Sequence, residues 1–204
     1  MKKRTPEKGR KLPDYLNWDD VIKILVKARI DYRVKDFLWC ATLAYTGIRV
    51  GELVNIRVEK INSDERKIKI VQGKGCKDRY IIAPDHLIKD LLWYANNPKV
   101  DIKRGPLFPQ TTRSIQAKVA EISEDALGEH VNCHKFRHSF AVKWLKSKGN
   151  LRSLQIQLGH ADLSTTAQYL LITLDDVKED FDKVFPSATE PLKEDDSDWI
   201  DSGK

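Results

Sequence analysis

The sequence predicts an α+β fold that is mainly α-helical, with a small antiparallel β-sheet on one edge. Three observations predict it. Apolar residues recur at helical spacing through most of the chain. Only RKIKIV (66–71) and RYIIAP (79–84) show the alternation of strands. Between them GKGCKD (73–78) supplies a Gly-rich turn, which makes the two strands a hairpin.

The elements follow in order. Residues 1–12 hold six Lys or Arg against one Glu, together with Pro6 and Gly9, and read as a flexible basic arm or linker stub. Asn17 is placed to cap a helix to about Arg29, with Val21, Ile22, Leu25 and Val26 on its buried side. A more apolar helix from about residue 33 to 45 stops at Gly47, and a short one covers 50–56. The hairpin comes next, joined by a third strand expected near 57–59. Further helices are predicted at 85–95, 112–127, 134–148, 151–158, 164–172 and 175–185, punctuated by GPLFP (105–109) and KGN (148–150). The segment 187–204 is polar and acidic, a composition expected to stay disordered until a partner orders it. A folded body is therefore placed at 13–186.

Composition bounds the function. At 204 residues, 41 % hydrophobic and 32 % charged, the chain suits one domain with a real core and a heavily charged surface. No apolar run approaches the roughly 20 residues of a membrane span. The basic N-terminus lacks the apolar stretch of a secretory signal, so a cytoplasmic, membrane-free protein is expected. Cys40, Cys76 and Cys133 are odd in number, far apart and without a CxxC pair, which fits a reducing compartment and no disulfide framework. Cys133 adjoins His134, but no further ligands stand at zinc spacing. The net charge of +6 is uneven. Removing the six acids and two lysines of 187–204 from totals of 30 and 36 leaves 24 acidic and 34 basic residues, a body of net +10. Such a field suits a polyanion, nucleic acid first.

Four stretches carry candidate chemistry. In TGIRVGEL (46–53) Gly47 ends one helix and Arg49 opens the next, which holds a phosphate-suited guanidinium rigidly, with Glu52 available to brace it. QGKGCKDR (72–79) sets Lys74 at a hairpin tip, with Lys77 as a rival for any role. Flanking strands and the missing Ser or Thr after the Lys exclude a P-loop. HKFRH (134–138) puts His134 and Arg137 on one face of a helix's first turn, where unpaired N–H groups favour an anion. In LGHADLSTTAQY (158–169) His160 sits in a turn after Gly159, and Ser164 can cap the helix bearing Tyr169. Taken alone, each also fits a structural role: a surface ion pair, a solvated turn or helix end, a core Tyr.

In this order the Arg of TGIRVGEL, the Lys of the GKG turn, HKFR, LGH and the Tyr nine residues on resemble the tyrosine recombinases, the family of phage integrases and Xer-type resolvases. HKFRHSFA is similar to that family's HxLRHxFA, and LGHADLSTTAQY to its LGH-x-x-x-x-T-x-x-Y; the likeness runs over about residues 12–185. It implies the family's catalytic-domain fold and metal- and ATP-independent cleavage and rejoining of DNA through a 3′-phosphotyrosine. By matching motif, Tyr169 is the nucleophile, Arg49 and Arg137 hold the non-bridging oxygens, and His134 assists as proton acceptor or hydrogen-bond donor. His160 bonds the phosphate and Lys74 protonates the leaving oxygen. No cofactor and no metal are expected, since acids do not cluster at these motifs as a two-metal nuclease would demand.

The implied partner is double-stranded DNA, gripped by a homo-tetramer on two duplexes and by a monomer or weak oligomer without DNA. When on DNA, the protein would be associated with the nucleoid. Arg113, Lys118 and Lys143 are candidate DNA contacts, with Lys23 and Lys146 as further phosphate contacts. The chain departs from the family in having room only for an arm where members carry an N-terminal helical domain, which leaves fragment or minimal protein open. It also has Leu170-Leu171 where Thr-His is common. Two other activities stay open: a DNA-binding regulator that does no chemistry, and type IB topoisomerase-like relaxation. His138 is expected to orient its neighbours, Trp39, Trp93 and Trp144 to be core, and His86 and His130 to have no evident partner.

Overall fold

The computed structural model describes residues 14–71, 78–100 and 102–159. The basic arm, Lys74, Cys76, Lys77, His160, Tyr169, the helices expected at 164–172 and 175–185 and the acidic tail lie outside them.

A mainly apolar helix, α2 (Val34–Thr46), runs through the middle and is buried on most of its circumference, from Leu38 through Ala44. Helices of that kind belong in a core rather than on a surface. Its two buried threonines are satisfied locally: Thr42 Oγ1 donates to Leu38 O at 2.6 Å and Thr46 Oγ1 to Thr42 O at 2.5 Å. Around it pack α1 (Trp18–Asp31), α4 (Asp85–Ala95), α5 (Thr112–Leu127) and α6 (Cys133–Lys146). The short α3 (Val50–Leu53) follows α2 across the Gly47 turn, and α7 (Leu151–Leu158) closes the described chain. A second, smaller apolar cluster of Phe140, Ala141, Val142, Leu154 and Leu158 joins α6 to α7.

α4, α5 and α7 occupy the predicted spans. Thr111 caps α5 by accepting from Ser114 N, and Asn150 caps α7 by accepting from Ser153 N. Asn17 precedes α1, yet its side chain makes no cap bond. The buried stripe of α1 is also rotated from expectation. Val21, Ile24, Leu25 and Ala28 face inward at i, i+3, i+4, i+7 spacing, while Ile22 and Val26 are 37 % and 50 % exposed.

The sheet has three antiparallel strands in sequence order, β1 (Ile61–Asn62), β2 (Lys67–Ile70) and β3 (Arg79–Ile82). The third strand is thus at 61–62 and not at 57–59. Residues 58–60 form a 3₁₀ turn instead, because their neighbours pair elsewhere: Leu107 N donates to Ile56 O and Val58 N to Gly105 O. In the β2–β3 register Ile68 faces Ile81 and Ile70 faces Arg79. Ile68, Ile70 and Ile81 are buried, so Arg79 starts its strand on the core-facing side. Gln157 fastens α7 to this sheet by accepting from Ile82 N at 3.0 Å and donating to Ile82 O at 2.8 Å.

Among the aromatics, Trp39 is core, but Trp93 is 59 % exposed and corrects its expected burial. Trp144 is half-buried on the smaller cluster and donates to Asn150 O at 3.1 Å. His86 stands edge-on to Tyr45 at 5.1 Å, and His130 lies 3.7 Å from Glu124, so both have the partners that sequence did not reveal.

Gly47 is left-handed at φ +66, and a Cβ there would lie 2.6 Å from Phe140 Cδ1 and 2.8 Å from Leu158 Cδ2. Gly47→Ala is expected to destabilise the fold by about 2–4 kcal/mol, combining backbone strain with overpacking, measured by urea denaturation.

Candidate active site

Three loop-and-helix junctions meet where α2, α6 and α7 end or begin, and a buried guanidinium joins two of them. Arg137, on the first turns of α6, is only 2 % exposed. Its Nη1 donates to Gly47 O and its Nη2 to Leu158 O, each at 2.8 Å. Both acceptors belong to left-handed helix ends, since Gly47 closes α2 and Gly159 closes α7. Carbonyls at helix C-termini carry partial negative charge, which suits a cation buried against them. One side chain therefore pins the turn leading to Arg49 against the turn leading to His160.

Arg49 is the residue before α3, on the turn that Gly47 permits. Its backbone N–H donates to Glu52 Oε2 at 2.8 Å and its Nη1 to Glu52 Oε1 at 3.3 Å, while its side chain stays 45 % exposed. Glu52 thus braces Arg49, and it holds a second cation as well: Arg79 donates Nη1 to Oε1 at 2.7 Å and Nη2 to Oε2 at 3.0 Å. Burial pushes the Glu52 carboxyl up, but the Arg79 fork, the Arg49 N–H and both positive charges outweigh it and hold it below the ordinary carboxylate range.

His134 opens α6 after Asn132, whose side chain accepts from His134 N at 2.6 Å. The imidazole is accessible. Partial burial, with the charges of Arg137 and Arg49, lowers its proton affinity, so the ring is neutral at pH 7 and able to accept a proton. His138 stands edge-on to it at 4.7 Å between ring centres, in keeping with an orienting role. Burial first, then His134 and Arg137, bring the His138 pKa down to about 4, with Asp14 opposing. Cys133 faces away from this surface at 5 % exposure, its thiol pushed up to about 11 by burial, so it makes no pair with His134 toward solvent.

The structure therefore brings together Arg49, His134 and Arg137 from residues 85 or more apart in their two segments, alongside Gly159, the residue before His160. Lys74, His160 and Tyr169 lie outside the described residues. β3 begins at Arg79, whose guanidinium sits on the Glu52 carboxylate. Sequence reasoning missed Arg79 and Gln157. The period-2 pattern held a signal for Arg79, which shares the inward face with Ile81 two residues on.

The candidate DNA contacts are spread more widely. Arg113 is exposed near the start of α5. Lys118 is bonded to Glu121 at 2.5 Å and sits 5.6 Å over the Tyr32 ring, and Lys143 lies 5.8 Å over Trp18. Lys23 pairs with Asp20 at 2.7 Å. No helix among the described residues is long and apolar enough to cross a membrane.

This scaffold, a helical body with an edge hairpin and cationic junctions at one end, is that of tyrosine recombinase catalytic domains. The chain belongs to the Phage integrase family, whose pattern matches residues 15–173. It is 32 % identical to the tyrosine recombinase XerC of Psychromonas ingrahamii over 193 residues, covering 90 % of this chain and 64 % of that protein. To the tyrosine recombinase XerC of Proteus mirabilis it is 30 % identical, covering 91 % and 63 %. The chain thus spans less than two thirds of the length of these relatives. The crystal structure of XerA recombinase superposes with a TM-score of 0.74 at 29 % identity, covering 86 % of this chain and 66 % of that one. The catalytic domain of bacteriophage HP1 integrase shares the fold, with a TM-score of 0.63 at 24 % identity, covering 90 % and 100 %.

Because the folded chain takes up the His138 proton only near pH 4, the unfolded chain holds more protons between pH 6.5 and about 4. Stability therefore rises with pH across that window and is lost as pH falls through it. His138→Gln is expected to lose less stability than the wild type on acidification from 6.5 to 4, read from urea midpoints at each pH.

Proposed function

We propose that residues 13–186 form the catalytic domain of a site-specific DNA recombinase that cleaves and rejoins strands through a 3′-phosphotyrosine. The observation that carries this reading is the Arg137 bridge, which ties the Arg49 turn to the turn before His160 with a buried positive charge. Motifs distant in sequence thereby supply cations to one place.

The chemistry runs as a transesterification. The Tyr169 oxygen bonds to phosphorus, and its proton passes to His134, whose imidazole is neutral at pH 7. The bond to the 5′-oxygen breaks, Lys74 protonates that oxygen, and the link is later attacked by a 5′-hydroxyl of another strand. Charge gathers on the non-bridging oxygens, where Arg49 and the fixed field of Arg137 offset it and His160 adds a hydrogen bond. A phenol with a pKa of about 10 needs such a cationic setting to attack at neutral pH. Energy is conserved in the covalent link, so neither ATP nor a cofactor is required.

Double-stranded DNA is the substrate and partner. A net charge of +10 over 1–186 supports this, as does a fold shared with a XerH site-specific recombinase solved bound to its difH substrate. Arg113, Lys118 and Lys143 are assigned to the DNA surface. Strand exchange between two duplexes calls for four subunits, and the reaction takes place in the cytoplasm, on the nucleoid.

A nicked suicide duplex incubated with the protein in EDTA is expected to trap a covalent adduct on a denaturing gel, and Tyr169→Phe to abolish it. Arg49→Ala should slow adduct formation by roughly 10²–10³. Wild-type and Tyr169→Phe proteins that bind DNA alike, with neither forming an adduct, would mean a regulator that does no chemistry.

A further inference from the structure

Arg79 and Arg49 both donate to the carboxylate of Glu52, but on unequal terms. Arg79 reaches it with a two-pronged fork at 2.7 and 3.0 Å, and both side chains are 11 % exposed. Arg49 reaches it with a single side-chain bond at 3.3 Å from a side chain that is 45 % exposed. Forked, buried charge pairs are the stronger kind, and bonds of this length at the surface are weak. Arg79 is held to this task from several sides. It pairs with Ile70 on the core-facing side of the sheet, and Gly159 leaves its guanidinium room, since a Cβ there would lie 2.6 Å from Nε and 2.7 Å from Cζ.

The two arginines and one carboxylate carry a net charge of +1. Where that charge is felt depends on which guanidinium the carboxylate faces. With Arg79 in place, Glu52 steadies the Arg49 backbone through its N–H while its negative charge is spent chiefly on the buried partner. Without Arg79, the carboxylate loses its forked partner, its charge is drawn toward Arg49, and the local net charge falls by one.

We propose that Arg79 is a positioning residue for strand cleavage: by occupying Glu52 it leaves the Arg49 guanidinium charged toward the DNA phosphate and prevents its own brace from capturing it. This rests on the recombinase reading above. Arg79 itself does not touch substrate and acts through Glu52 on Arg49.

The test measures the single-turnover rate of adduct formation on a nicked suicide duplex at saturating protein, with Arg79→Gln, Glu52→Gln and the double variant beside the wild type. Arg79→Gln is expected to be about 10- to 100-fold slower, a fraction of what loss of a transition-state donor costs. Adding Glu52→Gln to Arg79→Gln should then restore rate, because the neutral amide still accepts the Arg49 N–H but no longer captures its charge. A purely structural arginine would give the opposite, a double variant no faster than the single one, and that result overturns the proposal. So does an Arg79→Gln protein as fast as the wild type. Should Arg79→Gln fail to fold in a thermal melt, the equally uncharged Arg79→Met with and without Glu52→Gln carries the same comparison, with the same rescue expected. A wild-type protein that forms no adduct sinks the recombinase reading itself, whereas a wild-type adduct without rescue sinks only the role of Arg79.

Discussion

A guanidinium buried to 2 % exposure needs every partner it can find, and Arg137 finds two carbonyls at the ends of two helices. Leaving a charge in an apolar interior without hydrogen bonds is among the costliest things a fold can do. The Gly47 and Gly159 turns can therefore take no arrangement that strands Arg137. Their left-handed geometry, at φ +66 and +67, turns the last carbonyls of α2 and α7 toward the same cation. The described part of the candidate site hangs from this bridge. It sets the turn from which Arg49 emerges, and it sets the exit of α7.

A second electrostatic joint lies beside the first. Glu52 gathers the Arg49 turn and the first residue of β3 on one carboxylate, so the sheet is keyed to the helical body at its functional end. Gln157 repeats the device with a neutral amide further along β3. The apolar core gives the domain its bulk, but it is indifferent to sub-ångström shifts of surface turns. Directional bonds to charged and amide groups supply that precision. The site is accordingly built from polar ties seated on an apolar frame.

Much of this was legible beforehand, and the reason is local. α4, α5 and α7 have strong punctuation, with Pro84, Thr111, Gly128, Asn150 and Gly159 at their ends, and cap chemistry acts within one turn of the residue that carries it. The junctions that carry Arg49, His134 and Arg137 are marked in the sequence because their motifs are short and ordered. The misses share a different cause. The pattern places a third strand at 57–59, but those residues are claimed by the segment around 105–107, a pairing across nearly fifty residues. Apolar neighbours place Trp93 inside, but α4 turns it outward because Leu87, Ile88 and Leu91 already fill the contact with the core.

By itself the sequence determined the helical inventory, the hairpin, the family likeness and the residue types able to handle a phosphodiester, because propensity, caps and motif order are properties of neighbours along the chain. Only the tertiary structure decided that Arg137 spends two donors on carbonyls 90 and 21 residues away. It alone also decided that Glu52 faces Arg79 as well as Arg49. Those choices follow from burial. A charge withdrawn from water takes whatever partner the packing of distant segments brings within reach, and no local pattern of residues encodes which one that will be.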